Sequence, residues 1–226
     1  MEQKYEIEIK TLLGSKESAD IFLEKLKEKF SEMKEIGKNS QLNHYFFGGD
    51  KEKIILEIGS ILASGDSDRL RFLLEKASQI SIRTRKADEK VLFVLKASID
   101  DTTSSNGTAR AELEGEVSLS LHELDQKLLE CDCKVQAKWS RDRREYSLGE
   151  GTIVCIDRNA GYGYLAEFER IIQNPNDAEK TKEDLRRIMS EVGIEELPQD
   201  RLERMFAFYN EHWEEYYGTE KTFTLE

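Results

Sequence analysis

The sequence predicts an α+β fold: a closed antiparallel β barrel, or tunnel, of about eight strands with a polar, charged interior and flanking helices. Three observations predict it. Acidic residues recur at every second position of strand-like runs, in Glu6-Ile7-Glu8-Ile9-Lys10, Arg110-Ala111-Glu112-Leu113-Glu114-Gly115-Glu116 and Glu167-Phe168-Glu169. Cations recur in the same way in Ser81-Ile82-Arg83-Thr84-Arg85, Leu92-Phe93-Val94-Leu95-Lys96 and Trp139-Ser140-Arg141-Asp142-Arg143. Amphipathic helical patterns at the start, middle and end of the chain supply cover for the apolar faces that these strands leave over.

The totals fit one domain spanning residues 1–226, since proline is rare and no Pro/Gly/Ser-rich linker divides the chain. A hydrophobic fraction of 38% beside a charged fraction of 35% calls for either a very polar surface or a polar cavity. The net charge of −12 disfavours loose binding to nucleic acid or anionic membrane, so no double-stranded nucleic acid and no membrane partner are expected. It leaves room for a local cationic pocket. Cys131, Cys133 and Cys155 lack the spacing of a zinc site or a disulfide framework. No apolar leader or membrane-length run stands out, and the expectation is a cytoplasmic protein, monomer or homodimer.

In chain order, residues 3–10 alternate as a strand. Ser15 or Ser18 caps a helix whose stripe is Ile21, Phe22, Leu26, Lys29 and Phe30, and Gly37-Lys38-Asn39 ends it. Asn43-His44-Tyr45-Phe46-Phe47 reads as a strand. A helical insertion follows at about residues 48–78. Within it residues 53–62 fit a short helix or a buried strand equally, and Asp66-Ser67-Asp68 caps a second helix. Residues 79–86 and 90–98 form a hairpin about Ala87-Asp88-Glu89. The polar run from Asp100 to Gly107 reads as a loop, and residues 108–117 as the next strand.

Residues 118–129 form a helix capped near Ser118 or Ser120. Strands follow at 134–148, 152–157 and 165–172. Gly161-Tyr162-Gly163 lacks the third glycine and the following helix of a phosphate-cradling loop, and is read as a turn. Helices close the chain at about residues 177–217, one stopped by Gly193 and one started by Pro198. The stripe Leu202, Met205, Tyr209, Trp213 and Tyr216 packs on the sheet.

If the apolar strand faces lie under helices, the charged rows line the lumen. Burying so many charges is tolerable only when they are paired or bind ions. The acidic set is Glu6, Glu8, Glu112, Glu114, Asp157, Glu167 and Glu169. The basic set is Lys10, Arg83, Arg85, Lys96, Arg110, Arg141 and Arg143. Carboxylates without histidine or cysteine suit Mg²⁺ or Mn²⁺. Arginine forks and lysine point charges suit phosphate oxygens. Together they describe a site for a polyphosphate with its divalent metal. The competing structural reading is a salt-bridge network inside an ordinary barrel, which would cost desolvation without return.

The ordered set Glu6-x-Glu8-x-Lys10, Arg83-x-Arg85, Lys96, Arg110-x-Glu112-x-Glu114, Arg141-x-Arg143-x-x-Tyr146, Asp157 and Glu167-x-Glu169 resembles the CYTH domain, the triphosphate tunnel metalloenzymes. The resemblance covers nearly the whole chain. It implies an eight-stranded antiparallel tunnel that binds a triphosphate chain and a divalent metal. By position it makes Glu6, Glu8, Asp157, Glu167 and Glu169 metal ligands or holders of metal-bound water, and the basic set the phosphate grip. The acidic set read from the strands adds Glu112 and Glu114 to the expected metal residues, and Glu6, Glu8, Lys10 and Glu169 are expected to be catalytic. Arg141 stands where the family commonly has a lysine. The 48–78 insertion and the aromatic C-terminal helix exceed a minimal tunnel.

Three functions compete. The first is a metal-dependent triphosphatase acting on inorganic, thiamine or nucleoside triphosphate. The second is a class IV-type adenylate cyclase, which needs in addition an adenine pocket and a base for the ribose hydroxyl. The third is a non-catalytic polyphosphate or nucleotide sensor, against which the full acidic set weighs.

Overall fold

In a computed structural model that describes residues 4–98 and 110–225, eight strands form an antiparallel sheet that closes in a ring. The strands are β1 (Tyr5–Gly14), β2 (Lys34–Gly48), β3 (Gln79–Ala87), β4 (Lys90–Ser98), β5 (Arg110–Val117), β6 (Cys133–Gly149), β7 (Thr152–Asn159) and β8 (Gly163–Ile172). Their order round the ring is β1-β5-β4-β3-β2-β6-β7-β8. Among the described residues six α-helices accompany them: α1 (Lys16–Lys29), α2 (Lys51–Glu57), α3 (Ser64–Lys76), α4 (Leu121–Glu130), α5 (Ala178–Glu191) and α6 (Gln199–Tyr216). The polar loop and strand start expected at residues 99–109 lie outside the described residues.

The chain divides into two units. One holds the residues up to Ser40 and those from Ser140 onward; the other runs through residues 41–98 and 110–139.

In the first unit β1, β8 and β7 pair side by side, and α1 and α5 pack on β1 and β8. Period-two alternation sends Ile7, Ile9 and Phe168 to the helix side, where all three are fully buried. Phe22 of α1 meets Phe168 edge-on at 6.0 Å. Leu185 and Met189 of α5 are buried as well. Burying side chains of this size stabilises the fold by about 1.5–3 kcal/mol each. Glu6, Glu8 and Lys10 therefore point to the opposite face of β1, on which no helix packs among the described residues.

The second unit repeats the plan. Phe93, Leu95 and Ala97 of β4 and Leu113 of β5 form one core with Ile54 and Ile58, with Leu70 and Leu73 of α3, and with Leu124 and Leu128 of α4. Ser120 starts α4 with a capping box, its hydroxyl accepting from the Glu123 N–H while Glu123 reaches back to the Ser120 N–H. On the same helix-covered face Asp125 accepts from Thr84 Oγ1 at 2.6 Å and lies 2.6 Å from His44 Nδ1. This buried tie holds α4 on β2 and β3.

Several local expectations change. The first helix stops at Lys29, capped by Phe30, and Gly37-Lys38-Asn39 lies inside β2. Gly37 serves close approach there, for a Cβ would sit 2.6 Å from Glu145 Oε2. Ser15 is the cap of α1, and Ile21 is 52% exposed, so the buried stripe is Ala19, Phe22 and Leu26. The ambiguous 53–62 stretch is helix α2 followed by a 3₁₀ turn at Gly59–Ile61. Helix α3 begins two residues before Asp66, which lies in its first turn, where a carboxylate favours the helix dipole.

At the C-terminal end Leu202, Met205 and Tyr209 of α6 are buried, whereas Trp213 and Tyr216 are half-buried. Tyr209 packs against Tyr162 at 5.5 Å, in the turn between β7 and β8. The tail crosses the same turn: Gly161 N–H donates to Lys221 O, and Phe223 N–H donates to Gly161 O.

Candidate metal and phosphate site

The first unit gathers its charged row on the helix-free face. The β1–β8 register sets Glu8 opposite Glu169 and Lys10 opposite Glu167. The β7–β8 register sets Cys155 opposite Glu167, and the β6–β7 register sets Arg143 opposite Asp157. Four strands thus carry their polar residues to one place, because every second side chain shares a face.

Ion pairs knit the cluster. Lys10 Nζ lies 2.7 Å from Glu8 Oε1 and 3.4 Å from Glu167 Oε1. Arg143 forks onto Asp157 through Nε and Nη2 at 2.8 Å each, touches Glu167, and reaches Glu169 at 3.5 Å. Arg141 Nη1 donates to Asp157 at 2.8 Å and stands 4.0 Å from Glu167. Cys155 Sγ donates to Glu169 Oε1 at 2.9 Å.

Burial and crowding shift the ionisation. Burial, with the negative charges of Glu6 and Glu167 close by, raises the Glu169 carboxyl to about 8, against the opposing pull of Arg143. Burial would lower the Arg143 guanidinium, but Asp157 and Glu167 outweigh it, and its pKa stands well above the ordinary value. Burial holds the Cys155 thiol far above its usual range, so it acts as a neutral donor.

The second unit carries a matching row. Arg85 Nε donates to Asn43 Oδ1 at 2.7 Å, and the same guanidinium pairs with Glu114. Lys96 lies 3.4 Å from Glu112, its register partner's carboxylate. Arg83 stacks 4.5 Å over the Tyr45 ring, which meets Trp139 edge-on at 4.9 Å. A guanidinium over a ring face gains a cation–π attraction. Arg110 begins β5, and its side chain lies outside the described residues.

The structure thus brings Glu8, Lys10, Arg141, Arg143, Asp157, Glu167 and Glu169 together in one unit, with Glu6 near enough to act on Glu169. It brings Arg85, Lys96, Glu112 and Glu114 into ion pairs in the other. Sequence reasoning missed Cys155, Asn43 and Tyr45 as members of the charged faces. The signal was parity: Cys155 precedes Asp157 by two residues, and Asn43 and Tyr45 pair with Arg85 and Arg83.

Among the described residues no three His, Cys, Asp or Glu side chains already converge as a metal-ligating group. The carboxylates of the first unit turn to Lys10, Arg141 and Arg143 instead. Their chemistry still fits a hard divalent ion, for Glu6, Glu8, Glu167 and Glu169 offer oxygen donors on adjacent strands of one face. No helix among the described residues is long and apolar enough to cross a membrane.

Comparisons with solved structures support the architecture. The PH1819 protein from Pyrococcus horikoshii OT3 is 21% identical, with a TM-score of 0.59 over 88% of this chain and 99% of that one. The PH1012 protein of the same organism is 19% identical, with a TM-score of 0.59 over 84% and 91%. A candidate adenylate cyclase from Vibrio parahaemolyticus is 14% identical, with a TM-score of 0.60 over 90% and 98%. At these identities the likeness is one of fold. Among curated proteins none matches the sequence. The profile of the CYTH domain matches residues 67–201. That match spans more than half of the sequence, and the chain belongs to the CYTH family.

Proposed function

We propose that this protein hydrolyses a triphosphate-containing substrate with the help of Mg²⁺ or Mn²⁺. The observation that carries the reading is the buried cluster of Lys10, Arg141 and Arg143 interleaved with Glu8, Glu167 and Glu169 on one sheet face. Membership of the CYTH family supports it, because the triphosphate tunnel enzymes pair cations with a divalent metal.

Glu6, Glu8, Glu167 and Glu169 hold the metal in this reading. A divalent ion held there would supply Lewis-acid polarisation of phosphoryl oxygens. Arg141 and Arg143 bind phosphate oxygens as planar forks, and Lys10 binds as a point charge. These cations balance the charge that builds up as the phosphoryl group transfers. Glu169 orients the attacking water. In the second unit Arg83, Arg85, Lys96 and Arg110 are cations of the kind that suits phosphate oxygens, and Glu112 and Glu114 are carboxylates of the same strand row.

The test is phosphate release from tripolyphosphate, thiamine triphosphate and ATP with Mg²⁺ or Mn²⁺. Metal-dependent release from at least one is expected, and flat progress curves on all three would overturn the reading. The second reading is a cyclase. It is favoured by the shared fold with the Vibrio protein, whose description names that activity. The products separate the two: orthophosphate for the hydrolase, cyclic AMP with pyrophosphate for the cyclase.

A further inference from the structure

Asp157 differs from the other acids of the cluster. Its side chain is 1% exposed, against 13% for Glu8 and 15% for Glu169. Its two oxygens accept from two arginines at once. Oδ1 accepts from Arg143 Nε, and Oδ2 accepts from both Arg143 Nη2 and Arg141 Nη1, each at 2.8 Å. A carboxylate offers about four lone-pair sites, and three are used here. Each bond is charge-assisted and so stronger than a neutral one. A metal ligand needs a free lone pair facing the ion, and Mg²⁺ in addition keeps several of its waters. A fully enclosed carboxylate with three of its sites taken by guanidinia has one lone pair left and no room beside it for an ion that keeps its waters.

We propose that Asp157 is a positioning residue: it fixes the planes of Arg141 and Arg143 so that both meet the phosphate chain already oriented, and it does not ligate the metal. The inference rests on the triphosphate reading above. The sequence pattern alone groups Asp157 with the metal carboxylates; the geometry assigns it to the arginines. Preorganised cations matter because small misplacements of a binding group are costly to the reaction. Asp157 bridges the two arginines for a simple reason of register. Arg143 lies directly across from it, and Arg141, two residues before, sits on the same face.

The test uses two binding measurements that do not depend on turnover. Mn²⁺ affinity is read by electron paramagnetic resonance without substrate, and tripolyphosphate affinity by calorimetry in EDTA. D157N is expected to leave Mn²⁺ affinity unchanged, whereas E8Q weakens it. D157N is expected to weaken tripolyphosphate binding about tenfold to a hundredfold, and KM to rise with it. R141A weakens the same binding, and D157N/R141A together weaken it by less than the two single losses combined, because Asp157 acts partly through Arg141.

Loss of Mn²⁺ affinity in D157N to the extent seen in E8Q, or full additivity in the double variant, would overturn the positioning role. Should D157N fail to fold, D157E decides the matter. It keeps the charge but displaces both guanidinia, so Mn²⁺ affinity stays and tripolyphosphate affinity falls; the reverse pattern would make Asp157 a metal ligand. If the wild-type protein binds neither Mn²⁺ nor tripolyphosphate, the triphosphate reading falls and the role of Asp157 with it.

Discussion

Glu8 and Glu169 stand directly opposite each other where β1 pairs with β8, although 160 residues of chain lie between them. Like charges at such a position are unfavourable unless a cation comes between them. Lys10 answers Glu8 and Arg143 answers Glu169. A divalent ion would answer both. With a divalent ion bound both carboxylates ionise, and E8Q and E169Q then each remove one negative charge and keep the shape. Each is expected to lower metal-dependent turnover by at least about a hundredfold, while circular dichroism and Tm show an intact fold. Turnover near the wild-type level in both variants would mean that the metal is held elsewhere.

The Glu169 carboxyl makes the stability of the metal-free protein depend on pH. Its folded pKa, about 8, lies above the ordinary carboxylate value of 4.5. The folded state therefore holds the proton more tightly. That stabilisation is complete below about pH 4.5 and is lost as pH rises through about 8. In EDTA the wild-type Tm should fall across this window by more than that of E169Q. The difference corresponds to a few kcal/mol at about 1.4 kcal/mol per pKa unit. Parallel Tm curves for the two proteins would contradict the shift.

Arg83 is a cation of the second unit whose guanidinium lies over an aromatic ring. R83A removes the Tyr45 stacking partner and, in the proposed reading, a phosphate contact, but none of the carboxylates. KM for the preferred substrate should rise about tenfold or more, with kcat changed less. Steady-state kinetics at saturating Mg²⁺ checks this. A fall in kcat with KM unchanged would place Arg83 in the chemical step.

Gly161 has φ 83°, and a Cβ there would lie 2.6 Å from the Tyr209 ring. G161A meets both obstacles. The left-handed backbone costs about 1–2 kcal/mol for a residue with a side chain, and overpacking about 1–3 kcal/mol more. A lowered urea midpoint with an unchanged slope is the expected result. Wild-type stability would show that α6 and the tail do not press on this turn.

Much of the fold was legible because strands write their two faces at period two. Ile7 and Ile9 against Glu6, Glu8 and Lys10 are enough to say which side of β1 is dry. The same reading carried Arg83, Arg85, Lys96 and the β8 glutamates to their faces. What escaped it depends on partners distant in sequence. Gly37 looks like a helix stop until Glu145 is seen packed against it. Cys155 looks like a neutral strand residue until Glu169 is found 2.9 Å from its sulfur. Asp157 looks like one more carboxylate until both arginines are found on its two oxygens. Periodicity gives the face of a side chain, and only the fold gives its partner.

The most direct measurement is the anomalous diffraction of Mn²⁺ in crystals grown with a non-hydrolysable triphosphate. The account predicts an Mn²⁺ peak bounded by Glu8, Glu167 and Glu169, with phosphate oxygens against Lys10 and Arg143. An Mn²⁺ ion bound only on the helix-covered side of the strands, or a triphosphate that avoids those cations, would contradict it.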